Sequence, residues 1–584
     1  MPRPVCANCW ATLKRYIERA TALLESNHRF WEQEPKMKRL LIVGGGSAGW
    51  MTAAYLNGAL NNRGVTAKVQ ITLLESPDIP RISVGEATIP SMRHLLSVVG
   101  IPEIEFMRAT DATFKQSIKY QNWVQNDGSF YHHPFTSMRE QPLDHAGERW
   151  LASDQSMPFM DTCSVQPAAC EAALAPAMRQ RWSLPYRLNY AYHMNAQKFA
   201  DVLRDFSTAR GVTHVMANLE QVDQDARGWI QSVQTDRAGA LSADLFVDCT
   251  GFKGRLIAQT LQTEFEDYSQ YLLCNRAVTM HLPYERFYPG FVRPYTTATA
   301  LSSGWVWDIP MQNQRSIGYV HSSDFIDKAD AEAELRAYQG DGTEDLAVRF
   351  VDFKVGRRKA LWNANCIAIG LAGGFIEPLE STGLYLSDLG AVLLAEHWPR
   401  DQTLVPAMAS RYNRLMANRY YEILDFINMH YCLTKRTDTP FWREVQKPER
   451  VNPRLKAKLS MWKQKPPTAH DFEDQWFSGM NETNTVFDFS TIGGRPPIDT
   501  GGLWNHESYE CILYGMHYLQ KESAQWYGQS RPPTQPSPRV KEFLGTLPQL
   551  PDHAEWLQTA LGMLSYHPNE VPKGWQHKGS EVYS

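Results

Sequence analysis

Gly44, Gly46 and Gly49 stand in G-x-G-x-x-G order directly after the aliphatic run Leu40–Val43. Glycines at this spacing can hold a pyrophosphate: the first allows a tight turn, the second lets backbone approach phosphate, and the third lets a helix pack closely on the strand. Glu75 closes the next apolar run, Val69–Leu74, where a carboxylate can bind a ribose hydroxyl. A glycine-rich turn alone would leave this order of strand, helix, strand and acid unexplained. A later apolar run from Ala243 ends in Asp248 and enters Thr250-Gly251. In flavoproteins such a strand returns to the nucleotide after an inserted domain, so the pair of segments favours FAD over NAD. Gly304-Trp-Val-Trp-Asp-Ile-Pro310 then places Trp305 and Trp307 two apart. On a strand both indoles project from one face and can wall a substrate path.

The elements that must position these residues can be read coarsely. Leu40–Val43 suits a buried parallel strand and Trp50–Leu60 a helix. The expected fold class is α/β: an FAD-binding, Rossmann-like fold with a β-rich region and a C-terminal helical tail. A nucleotide-binding lobe is expected over about 37–130, returning around 190–260. There His193–Phe206 reads as an amphipathic helix, and Gly211–Asp223 as strand and turn leading to the Ala243–Val247 strand. About 270–365 is strand-rich, and a helical tail begins near Thr382. The expected divisions are an N-terminal extension (1–36), an FAD-binding domain with the inserted β-rich region (37–384) and a helical substrate-covering lobe (385–584). Lys465 to Gly501 is polar and turn-rich, as a mobile cover or linker would be. Met37-Lys38-Arg39 precedes the first strand as a natural initiator would, so 1–36 is expected to be an upstream translation artefact or a loosely attached helix.

With 584 residues, 43% of them hydrophobic, the chain can bury a large core in two or three lobes. A formal charge of −4 gives no sign of nucleic-acid binding or of a polybasic membrane patch. The apolar Cys366–Ile376 is too short and glycine-rich to span a bilayer. Nine scattered cysteines suit a reducing cytoplasm. Cys6 and Cys9 form a C-x-x-C without further ligands nearby, so no metal site is expected.

The chain resembles the flavin-dependent halogenases of the tryptophan-halogenase family along almost all of 37–520. The resemblance is carried by Gly44–Trp50, Pro80–Pro90 (with Gly85), Phe114-Lys115, Gly304–Pro310, Phe375–Gly383 and Asp438–Trp442, in family order. It implies a flavin-monooxygenase fold with a β-rich substrate region and an added C-terminal helical lobe. It also implies FAD, supplied reduced by a separate NADH-dependent flavin reductase, acting with O2 and a halide ion to make hypohalous acid. The flavin-binding residues it implies are Gly44, Gly46, Gly49, Glu75, Gly85, Asp248, Gly251 and Gly370. Lys115 stands at the family's essential lysine, to aim hypohalous acid or be converted into a haloamine, with Lys119 its in-sequence competitor. Glu380 is the second catalytic residue, polarising the oxidant or taking the ring proton. Glu377 lies three residues before it and shares its face if the turn is helical. Thr382 and Gly383 are the halide residues, at a helix N-terminus. Trp305 and Trp307 line the path from flavin to substrate.

For the substrate the resemblance implies His132, Pro134 or Phe135, and Trp504. The tyrosine pair and glutamate that grip free tryptophan in such enzymes are replaced by Glu482–Ser490, with Ser490 at the glutamate position. A buried zwitterion without partners is costly, so indole or an indole derivative, or a larger aromatic, is expected rather than free tryptophan. Chloride and bromide are not distinguished, and oligomeric state is open, a homodimer included. Two rivals share the scaffold: a flavin-dependent aromatic hydroxylase (a monooxygenase), which would consume NAD(P)H by itself, and a non-catalytic flavin-binding protein. The Trp305/Trp307 wall and the Lys115–Glu380 pair argue against both.

Overall fold

The structure is a computed structural model that describes residues 37–61, 69–81, 85–138, 146–177, 188–468, 471, 503–518 and 531–563. The extension 1–36, most of the 465–501 segment and the whole of Glu482–Ser490 lie outside the described residues.

Aliphatic runs too short for helices pair in parallel as the centre of a six-stranded sheet. Its order is Trp362–Asn363, Cys366–Ala368, Leu245–Asp248, Arg39–Val43, Gln70–Glu75, Thr213–Met216. Val43 is in register with both Asp248 and Leu74, so the first glycine turn, Glu75 and the Thr250-Gly251 turn emerge at one edge of the sheet. That is where ligands bind open α/β sheets. The helix Ser47–Leu56 follows the glycine turn and packs against Thr382–Glu396. In this way the start of the nucleotide fold and the Glu380–Gly383 turn are held together.

Seven strands form the second sheet, antiparallel except where Thr296–Ala300 runs parallel to Ser117–Gln121. The tryptophan strand Gly304–Pro310 lies at its centre, and Ser117–Gln121 and Phe130–Pro134 close one side. A small sheet of Gly85–Ala87, Ala191–Asn195 and Thr113–Lys115 sits between the two large ones. It corrects one expectation: His193 belongs to a strand, and the helix begins only at Ala196. Residues 191–195 pair antiparallel on both sides, and the Asn195 side chain then caps the helix by accepting from the amides of Gln197 and Lys198. Among the described residues, the chain after Ser381 is mainly helical, including the 28-residue Val405–Cys432. Among the described residues no helix is long and apolar enough to cross a membrane.

Candidate active site

A cavity of about 570 Å³ runs from the glycine turn to the tryptophan strand. Its lining includes Gly44, Gly46, Glu75, Gly85, Gly251 and Gly370 at one part, and Trp305, Trp307, Ser381 and Gly383 at another. Gly44 has φ +119°, and a Cβ there would lie 2.2 Å from the Cys249 carbonyl oxygen. A Cβ on Gly49 would lie 1.9 Å from the Gly44 carbonyl oxygen, which is the close packing its place requires. A Cβ on Gly46 would meet nothing within 4 Å and would enter the cavity. The helix of Ser47 begins at that point and leaves its first amides without helical partners. These features fit the pyrophosphate of FAD. Gly46→Val is accordingly expected to weaken FAD binding about tenfold or more, comparable to losing a charge-assisted hydrogen bond. Quenching of flavin fluorescence on titration would measure it.

Glu75 faces the cavity, braced by Arg81 at 2.7 Å, the Trp50 indole N–H at 3.3 Å and His214 at 3.0 Å. Asp248 has a different place from the one expected. It is fully buried and does not line the cavity. Its Oδ1 accepts from the Thr250 amide and hydroxyl, and its Oδ2 from the amides of Leu256 and Ile257. Its role is therefore to shape the Thr250-Gly251 turn, not to touch the nucleotide.

Lys115 is completely buried. Its Nζ donates to the Ser381 Oγ at 2.7 Å and the Thr88 carbonyl at 3.0 Å, and lies 5.2 Å from the Phe135 ring centroid. Burial pulls the amine down to about 7, against the opposing pull of the Glu380 carboxylate. Lys119 is spent elsewhere: its Nζ reaches both Glu171 oxygens at 2.9 Å and covers the Phe130 ring. The two lysines stand on different strands, Thr113–Lys115 and Ser117–Gln121, in different sheets, which separates them from each other's partners.

Glu380 meets Tyr120, His133 and His430 from three elements and hydrogen-bonds the first two. Tyr120 Oη donates to its Oε1, His133 Nδ1 is 3.1 Å from both oxygens, and His430 Nε2 is 3.3 Å from Oε1. Burial alone would push this carboxyl up, but His133 and His430 hold it below the ordinary carboxylate range. Glu377 does not share its face. Extended backbone at Glu377 precedes the short turn Pro378–Glu380, so the two side chains diverge. Glu377 Oε2 instead accepts from the Trp305 indole N–H at 3.0 Å and the Tyr431 hydroxyl at 2.6 Å. It thereby fixes the orientation of Trp305. Trp305 and Trp307 meet edge to face with centroids 6.4 Å apart. Trp307 lies over Gly318 on the next strand, where a Cβ would come within 2.1 Å of the indole.

Ser381 has φ +59° and turns the chain into the helix Thr382–Glu396. Gly383 lines the cavity with open space before it, and Thr382 Oγ1 is buried with no partner among the described residues. The free amides of this first turn can hold a halide.

The substrate residues divide by strand alternation. His132 turns away from Glu380: its Nδ1 is 2.9 Å from Ser117 Oγ and its Nε2 2.9 Å from Glu171. Pro134 pairs with Ser117 on that same side. The residue that faces Glu380 is His133, which corrects the choice of His132. The missed signal is period two: His133 and Phe135 alternate together, and Phe135 is the ring found beside Lys115. Trp504 stacks on Phe426, with centroids 4.0 Å apart and planes at 8°, and Phe426 in turn lies 5.6 Å from His133. Tyr120, His430 and Thr88 were also missed. Each is an ordinary strand, helix or loop residue until folding brings it to Lys115 or Glu380.

A sequence model of the tryptophan halogenase family matches residues 39–532. The tryptophan 6-halogenase ThaL of Streptomyces albogriseolus is 35% identical over 506 residues, covering 83% of this chain and 90% of its own. The tryptophan 7-halogenase RebH of Lentzea aerocolonigenes is 35% identical over 524 residues, covering 86% and 92%. Among solved structures, a tryptophan halogenase from Shewanella frigidimarina superposes with a TM-score of 0.79 at 30% identity, covering 90% of this chain and 98% of its own. BrvH, a flavin-dependent halogenase from Brevundimonas, gives 0.74 at 28% identity, covering 90% and 100%. With a nucleotide cavity, a walled path and a buried lysine and glutamate now in one place, this chain belongs to the tryptophan halogenase family and is a flavin-dependent halogenase.

Proposed function

We propose that the protein halogenates a neutral aromatic substrate of the indole type, with hypohalous acid directed by Lys115. When bound, reduced FAD with O2 and a proton supplies the two-electron oxidation of halide to hypohalous acid, with water as the second product. The residues of this chain then act in sequence. The Thr382-Gly383 turn would hold the halide against a helix N-terminus at the cavity. Trp305, fixed by Glu377, and Trp307 keep the organic substrate away from the cavity and let only a small oxidant through. At Lys115 both hydrogens of a neutral amine are occupied by Ser381 and Thr88, which leaves one lone pair. The protonated form offers a third N–H in its place. With the amine brought down to about 7, both states are accessible near neutrality, one to form a haloamine and the other to hydrogen-bond hypohalous acid. The aromatic carbon attacks the halogen, the hypohalous oxygen takes a proton from the Lys115 ammonium and leaves as water, and the displaced ring proton passes to Glu380.

The observation that carries this reading is the pair of buried groups next to the cavity, Lys115 on Ser381 and Glu380 among Tyr120, His133 and His430. The substrate class is supported by Glu482–Ser490, which supplies neither the tyrosine pair nor the glutamate that a free amino acid would need.

The test combines purified protein, FAD, an NADH-driven flavin reductase and O2 with bromide or chloride, offering indole and free tryptophan separately. Halogenated indole is expected in the mass spectrum, at higher kcat/KM than halogenated tryptophan, and with no NADH consumed when the reductase is omitted. Hydroxylated indole would overturn the reaction class. Preference for free tryptophan would overturn the substrate class.

A further inference from the structure

The strand Thr113–Lys115 is an edge strand, paired only with Ala191–Asn195 within its sheet. The amides on its open side still have partners. Gln116 donates to the Pro294 carbonyl at 2.7 Å, and Phe114 donates to His553 Nε2 at 3.2 Å. His553 Nδ1 in turn donates to the Val292 carbonyl at 2.8 Å. The imidazole therefore stands between the Val292 carbonyl and the Phe114 amide. It takes the place of one rung in a ladder between residues 292–294 and the lysine strand. Both ring nitrogens are committed, which fixes the tautomer with Nδ1 protonated and Nε2 as acceptor. Burial holds this imidazole down to about 4, so it is neutral near neutrality, as the acceptor role requires.

His553 opens the helix His553–Leu561, C-terminal to the family-matched span. That helix is anchored at both ends. Asp552 caps it by accepting from the Glu555 amide, and the His553 amide donates to the Ala173 carbonyl. Arg108 donates to the carbonyls of Ala560 and Leu561 at the far end. Trp556, one turn on, packs edge-on against Phe114 with centroids 4.6 Å apart. Lys115 is thus flanked by two amides, one of which is held by a side chain from the far end of the chain.

We propose that His553 is a positioning residue for Lys115: its imidazole bridges Val292 and Phe114, so that the C-terminal helix fixes the edge strand from which the lysine reaches Ser381. This role rests on the reading of Lys115 as the group that directs hypohalous acid. Small displacements of a reacting group are costly even when the mutated residue never touches substrate, on the order of 100-fold for about 1 Å.

The test compares His553→Leu, His553→Gln and Lys115→Met with the parent in the reductase-coupled assay. A β-diketone trap is added to capture hypohalous acid that escapes. In His553→Leu, halogenated product is expected to fall about 10- to 100-fold, while FAD affinity stays at the parent level and the unused hypohalous acid goes to the trap. Hydrogen exchange of a peptide spanning Phe114 to Gln116 is expected to speed up. His553→Gln should restore both product and slow exchange, because a carboxamide also accepts at one end and donates at the other. Parent-like product and exchange in His553→Leu would overturn the proposal. So would parallel loss of FAD affinity, oxidant and product that glutamine does not restore, since that would be general destabilisation. If the parent forms hypohalous acid but product is indifferent to Lys115→Met, the reading of Lys115 fails first. The exchange data then still decide whether His553 holds the strand.

Discussion

Lys115→Met is expected to lower halogenated product by about a thousandfold or more, while FAD binding remains that of the parent and the unused hypohalous acid appears in the trap. The lysine does not line the flavin cavity; it meets it only through Ser381, so removing it should leave cofactor and halide chemistry in place. The stability of the variant should move in a direction set by pH. An unfolded lysine titrates near about 10.4, and burial brings Lys115 down to about 7 in the folded chain. Between these values the unfolded state binds more protons, so the parent gains stability as pH rises through the window. Below about 7 the folded chain carries the full cost of a buried ammonium; above the unfolded value it carries none. Methionine removes that cost. Calorimetry at pH 6 and pH 9 should therefore show the variant's midpoint, relative to the parent's, more favourable at pH 6. A variant that loses product and shows no such pH dependence would mean that the lysine is not desolvated as the fold implies.

How much of this arrangement can be read from the chain depends on the range of the interaction. The glycine turn is legible because its geometry is local: Gly44 and Gly49 answer to backbone within the same strand–turn–helix unit or its immediate neighbour, whereas Gly46 faces the open cavity. Trp305 and Trp307 are legible as a pair because a strand alternates with period two. Lys115 and Glu380 were found through family resemblance, since a lysine in Phe114-Lys115-Gln116 carries no local sign that it is buried. What was not legible is what strand register and side-chain direction decide. His132 and His133 are chemically identical neighbours, and only the pairing of Tyr131 with Tyr120 and of His132 with Lys119 settles which ring faces Glu380. Glu377 and Glu380 could share a face only on a full helical turn, but the chain is extended at Glu377 and makes a three-residue turn after it. Asp248 illustrates a subtler limit. Its position beside the nucleotide turn is correct, yet four donors from Thr250, Leu256 and Ile257 use both of its oxygens, and no motif records how many lone pairs remain. His553 lies outside every motif, because its partner amide is hundreds of residues away and the contact is to backbone.

Glu380→Gln is expected to reduce halogenation by about 10²- to 10⁴-fold, the usual range for losing a positioned general base. Its signature should differ from that of Lys115→Met. The lysine acts before the carbon–halogen bond forms, so its loss diverts oxidant to the trap. The glutamate acts on the ring proton afterwards, so with glutamine the loss of that proton becomes the slow step. A primary isotope effect with ring-deuterated indole should then appear in Glu380→Gln, where the parent shows a ratio of about 1. Absence of an isotope effect together with increased trapping would assign Glu380 to oxidant activation instead. Stability supplies an independent check with the same sign as that of the lysine but in a more acid window. An unfolded glutamate titrates near about 4.3, and His133 and His430 hold Glu380 below that range despite its burial. The folded carboxylate therefore contributes stability that is present above the unfolded value and lost as pH falls through the folded one. Glutamine cannot titrate, so Glu380→Gln should unfold less steeply with acid than the parent, even where it is less stable at neutral pH. The neutral-pH cost arises because the glutamine amide sets a donor against Tyr120 and His133, which hydrogen-bond the carboxylate, with His430 Nε2 3.3 Å away. Both groups therefore make the intact site more stable as pH rises, Glu380 in the acid range and Lys115 above about 7. The pH profile of halogenation should therefore fall on the acid side as Glu380 protonates, and the fall should vanish from the residual activity of Glu380→Gln.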